Sequence, residues 1–94
     1  MTQAVWKYVV PPSVSGPTKL EMPRGAIVLS VHEQKGDLCL WALVDPTAEV
    51  VERVFWVVGT GHILPVSADK RVKYIGTAHL ADGALVLHVF ELVA

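Results

Sequence analysis

The segment Gly59-Thr60-Gly61-His62 is the most site-like stretch of the chain. Two glycines around a hydroxyl, following an apolar run, can turn successive backbone N–H groups toward an anion. Arg24 or Arg53, brought from a neighbouring strand or subunit, would then meet a phosphate with two parallel N–H bonds. The spacing is that of neither a Walker loop nor a dinucleotide fingerprint, and no helix follows. Two readings stay open. In one, Gly59, Thr60, Gly61 and His62, with Arg24 and Arg53, bind a small nucleotide-like anion. In the other, the segment is a plain turn whose Thr60 hydroxyl satisfies the backbone.

Other reactive residue types form no recognisable centre. His32, His62, His79 and His88 each make at most half of a metal site, because structural zinc wants four ligands and no carboxylate is spaced to complete a set. Cys39 sits inside an apolar run, where a cysteine acts as a small hydrophobe rather than a thiolate. Being the only cysteine, it also excludes an intrachain disulfide. Glu49 and Glu52 fall on a solvated connection, and no nucleophile elbow presents a serine or threonine. The expectation is a protein that is not an enzyme and that carries neither metal nor cofactor.

The elements that must position these residues read as strands. No segment keeps a period of 3.6, whereas β-branched and aromatic runs are broken repeatedly by Gly, Pro or Asp. Strands are expected at about 4–10, 18–22, 26–33, 38–44, 51–58, 72–80 and 84–92, with Pro11-Pro12 ending the first and one short helical turn within 47–51. Seven short strands predict one domain over 1–94, an all-β fold with little helix, either a small antiparallel sandwich or an open barrel.

Two hairpins can be taken to register. Asp82-Gly83 as a two-residue type I′ loop pairs Leu80 with Leu85, Ala78 with Leu87 and Gly76 with Val89 on a core face. The reverse face then pairs His79 with Val86, Thr77 with His88 and Ile75 with Phe90, a mixture that suits an interface. A turn centred on Lys35-Gly36 places Ile27, Leu29 and Val31 with Val44, Ala42 and Leu40 on the core face. Its reverse face carries Val28, Ser30 and His32 against Leu43, Trp41 and Cys39.

The runs 38–44 and 54–58 are apolar at every position, so both faces of their sheets need covering. Of 94 residues, 52% are hydrophobic and only 18% charged, against about 25% charged in typical domains. A chain of this length buries only roughly 60 to 65% of its unfolded surface. The surplus points to a partner, most simply further copies of the same chain. Trp41, Phe90 and His88 are the expected interface residues, because large aromatics favour interface centres.

The formal net charge of −1 offers no basic footprint for duplex nucleic acid. The apolar runs fall short of the about 20 residues of a membrane helix. The first residues also lack the basic start and apolar core of a signal peptide, which makes the cytosol the expected compartment.

Several blocks together resemble a family of small, functionally uncharacterised proteins encoded by bacteriophages and prophages. They are Trp6-Lys7-Tyr8, Met22-Pro23-Arg24-Gly25-Ala26, Val28-Leu29-Ser30-Val31, the run from Cys39 to Pro46, Gly59-Thr60-Gly61-His62, Tyr74-Ile75-Gly76-Thr77 and the run from Leu85 to Glu91. The resemblance covers nearly the whole chain and implies no catalytic role. It implies a phage accessory protein in the host bacterial cytoplasm. The expected function is anti-defence binding, by an oligomer that sequesters a nucleotide signal or blocks a host immune protein. The alternative is a virion component, a decoration or head-tail joining protein.

Overall fold

The computed structural model describes residues 2–11 and 16–93. Pro12, half of the proline pair expected to end the first strand, lies outside them. Seven strands form in chain order: β1 (Ala4–Val9), β2 (Thr18–Pro23), β3 (Ile27–Gln34), β4 (Asp37–Val44), β5 (Val50–Gly59), β6 (Val72–Leu80) and β7 (Leu85–Leu92). They make two antiparallel sheets, a three-stranded one ordered β1-β4-β3 and a four-stranded one ordered β2-β5-β7-β6. The sheets pack as a sandwich and do not close into a barrel, which selects one of the two expected architectures. No α-helix occurs among the described residues.

β4 takes the central place between β1 and β3, which flank it along both edges and leave its outward Trp41 and Leu43 half-buried. Leu38, Leu40, Ala42 and Val44 point inward and are buried. They meet Phe55 and Val57 of β5, Ala78 and Leu80 of β6, and Leu87 and Val89 of β7 in one core. The edges of the two sheets meet at Val31 and Gly76. A Cβ built on Gly76 would lie 3.1 Å from Val31 Cβ, so glycine is what lets β3 and β6 approach.

Both hairpin registers hold near their turns and then slip. Lys35 (φ 52°) and Gly36 (φ 85°) form the expected two-residue loop, closed by Gln34 opposite Asp37. Beyond Ser30 a bulge at Leu29 shifts the ladder, pairing Val28 with Ala42 and Ile27 with Leu43. Val28 therefore joins the core side. Ile27 and Leu29, expected in the core, are instead 57% and 52% exposed. In the last hairpin Leu80 does oppose Leu85. The loop nevertheless has four residues rather than two, with Ala81, Asp82 and Gly83 all at positive φ and the Ala84 N–H bonded to the Ala81 carbonyl. A second bulge, at Ile75, gives Phe90 to Tyr74 rather than to Ile75. The helical turn expected within 47–51 is an Asp-capped β-turn. Asp45 Oδ1 accepts from the Thr47 N–H at 3.0 Å and from its hydroxyl at 2.7 Å, which competes with helical bonding.

One polar group sits poorly in this interior. The Tyr8 hydroxyl is buried without a hydrogen-bond partner among the described residues, and burial raises its pKa above the ordinary value. The folded state thus holds the phenol neutral at a pH where the unfolded chain ionises it. Stability falls as pH rises past about 10, the ordinary tyrosine pKa. Tyr8→Phe should stabilise the fold by about 1 kcal/mol and flatten its alkaline loss, as read by urea denaturation at pH 7 and pH 10.5. At the sheet contact, Gly76→Val should cost roughly 1 to 3 kcal/mol by overpacking against Val31; an unchanged midpoint would show that the two strands separate freely.

Candidate functional site

The Gly59–His62 segment ends β5 in a turn closed by the His62 N–H donating to the Gly59 carbonyl at 3.0 Å. Gly61, at φ +84°, occupies the position that a type II turn reserves for glycine. Gly59 serves a different need. A Cβ there would come within 3.0 Å of His62 Nδ1, so the bare backbone seats the imidazole. The Thr60 hydroxyl is 2.7 Å from His88 Nε2 on β7, and does not serve the backbone.

From His88 a hydrogen-bonded chain crosses the outer face of the four-stranded sheet. His88 Nδ1 lies 3.0 Å from Thr77 Oγ1 on β6, and that oxygen lies 2.6 Å from the Tyr74 hydroxyl. Tyr74 stands edge-on to Phe90, with ring centroids 5.7 Å apart. Phe90 in turn is opposite Trp56, which completes an aromatic row across β5, β7 and β6. Thr60 beside an imidazole has the first two parts of a nucleophile and base. The third part is the Thr77 hydroxyl, which cannot offset an imidazolium charge as a carboxylate does. The chain therefore fixes the turn to the sheet and aligns His88. No group of three or more His, Cys, Asp or Glu able to hold a metal occurs among the described residues.

The two arginines do not join the turn. Arg24 pairs with Glu49 on an exposed connection, and the guanidinium holds the Glu49 carboxyl below its usual pKa. Arg53 lies six positions before Gly59 on β5, about 20 Å away along an extended strand. Its Nε and Nη2 donate to the two Glu91 oxygens at 2.6 and 2.8 Å, and Nη1 donates to the Ala26 carbonyl at 2.5 Å. This bidentate pair is largely buried, with side chains 20% and 8% exposed. The carboxylate hydrogen bonds raise the Arg53 pKa further. The residues grouped as one ligand site thus belong to the turn end of β5 and to its opposite end.

The expected interface residues lie on opposite outer faces of the sandwich. Trp41 is half-buried at the centre of the β1-β4-β3 face, its ring centroid 6.0 Å from that of His32. Phe90 and His88 belong to the other sheet. Thr77 opposite His88 follows from the hairpin register, whereas the place of Tyr74 depends on the Ile75 bulge. The signal in the sequence for Glu91 is its phase. That residue shares strand parity with Leu87 and Val89, and a carboxylate on a core face requires a buried cation. Arg53, in phase with Phe55 and Val57, answers it.

The architecture defines a small two-sheet antiparallel β sandwich with a polar relay on one face and a buried ion pair at one end of its core. A family described as a domain of unknown function, DUF7352, matches residues 1–94, and the chain belongs to that family. No curated protein and no solved structure matches the chain.

Because Arg53 and Glu91 compensate each other inside, removing one partner should cost far more than removing both. Arg53→Met should destabilise by about 3 kcal/mol, whereas Arg53→Met with Glu91→Leu should recover most of that loss. Equal losses in the single and double variants, measured by urea denaturation, would mean that Glu91 remains solvated without Arg53.

Proposed function

We propose that this protein is a non-enzymatic binding protein that acts as a homo-oligomer, with the outer face of the β1-β4-β3 sheet as its self-contact. The observation that carries the reading is the composition of that face. Val5, Leu43 and Ile27 form one row, Lys7, Trp41 and Ser30 the next, and Val9, Cys39 and His32 the third. Val5, Val9 and Ile27 are 56%, 47% and 57% exposed. The Lys7 ammonium donates to the neutral Gln34 side-chain oxygen at 2.8 Å, so one cation borders this otherwise apolar centre. A second copy related by a two-fold axis near Trp41 would set like against like, the isologous arrangement commonest among homodimers. Three strands about 4.8 Å apart make a face of roughly 400 Å² per copy. That area favours reversible, micromolar association over a permanent dimer.

The resemblance to phage and prophage proteins supports a partner in host defence, either a nucleotide signal or an immune protein, met in the bacterial cytoplasm. The exposed turn carrying Thr60, His62 and Ile63, the last 86% exposed, is the surface offered to it. A virion role is the alternative reading. It predicts the protein in the mass spectrum of purified particles, whereas an accessory protein is found only in infected-cell lysate.

Sedimentation between 1 and 200 µM, chosen to bracket micromolar association, should show the mass rising above the 10.2 kDa of one chain. Trp41→Glu should hold the chain at that mass, and Phe90→Glu on the opposite face should leave association intact. A wild-type protein that stays monomeric throughout, or a Phe90→Glu variant that alone abolishes association, rejects the assigned face.

A further inference from the structure

β3 and β6 are the facing free edges of the two sheets, in contact at Val31 and Gly76 but joined by no ladder. Each carries its bulge just beyond that contact, at Leu29 and at Ile75. Bulges bend and twist a strand, and here the two edges part. The space between them is a cleft of about 190 Å³ lined by Ala26, Ile27, Val28, Lys73, Tyr74 and Ile75, with Arg53 and Glu91 also on its wall.

The chemistry of that wall is unbalanced in one direction. Arg53 spends three of its N–H bonds on Glu91 and Ala26. A guanidinium has five, so one hydrogen on each terminal nitrogen remains. Lys73 is exposed and has no ion pair among the described residues. Two cations against one carboxylate leave a single positive charge. Aliphatic residues supply most of the rest of the lining, together with Tyr74, whose hydroxyl is turned to Thr77 on the outer face of the sheet. Unpaired edge strands add backbone N–H groups that no ladder uses. The volume slightly exceeds the about 150 Å³ of a cavity that accepts benzene.

We propose that this cleft binds a small organic monoanion, an aromatic or short aliphatic carboxylate, with its charge on Lys73 and Arg53 and its body against Ile27, Val28 and Ile75. The site is separate from the Gly59–His62 turn and does not require self-association. Tyr74 also ends the hydrogen-bonded chain through Thr77 and His88, so occupancy should be felt at His88 across the sheet.

The test is a titration of ¹⁵N-labelled protein with benzoate, its neutral isostere benzamide, and inorganic phosphate, followed by amide chemical shifts. Benzoate should give saturable shifts at residues 26–28 and 73–75 with smaller ones at His88, and benzamide should bind at least about tenfold more weakly, as loss of a charge-assisted bond requires. Lys73→Met should weaken benzoate at least about tenfold, and Lys73→Arg should restore it, with both variants keeping the wild-type melting temperature. The proposal is overturned if benzoate gives no saturable shift or shifts scattered over the surface. It also fails if benzamide binds as well as benzoate, if phosphate binds better, or if Lys73→Met changes nothing.

Discussion

Val31 lies directly over Gly76, where even a methyl group would be 3.1 Å from its Cβ, and this contact fixes how the two sheets relate. A sandwich normally holds its sheets about 10 Å apart through interleaved side chains. Here one pair of edges touches through a missing side chain, so the layers are hinged along β3 and β6. The core then fills the wedge between them, from Leu38 and Leu40 on one side to Phe55 and Val89 on the other. Without the close approach, Val31 would lose its seat and the free edges of both sheets would be open along their length.

The buried Arg53–Glu91 pair follows from the same geometry. Past the edge contact the strands diverge and the apolar filling runs out, so the end of the core near Ala26 is closed by charge. Burying ions is expensive unless each is well bonded. Here the carboxylate takes two guanidinium bonds, and the Ala26 carbonyl takes a third. The pair ties the start of β3 to β5 and β7, across the sheet boundary that no ladder bridges. The pair also gives the cleft beside it a charged wall facing its aliphatic residues.

The opposite end of β5 is organised by hydrogen bonds between hydroxyls and an imidazole. Thr60, His88, Thr77 and Tyr74 form a chain that anchors the turn after β5 to β6 and β7. The protein therefore carries a charged end and a hydroxyl–imidazole end on one strand, with an aromatic row between them. Neither outer face receives a third layer from the described residues.

Much of this was legible in the residues. Alternation, turn chemistry and apolar runs determined seven strands, their approximate limits and the registers next to Lys35-Gly36 and Asp82-Gly83, because those features are set by neighbours within a few residues. The runs apolar on both faces implied strands needing cover on each side, but the central positions of β4 and β5 came only with the sheet order. Other features were decided only by the tertiary structure. The bulges at Leu29 and Ile75 arise where two sheet edges must first meet and then part, a demand made by residues more than forty positions apart. They moved Ile27 outward and gave Phe90 to Tyr74. The assignment of Arg53 to Glu91 rather than to a ligand at Gly59 was settled by strand parity combined with sheet order, since only the packed sandwich brings both groups to the same end of the core.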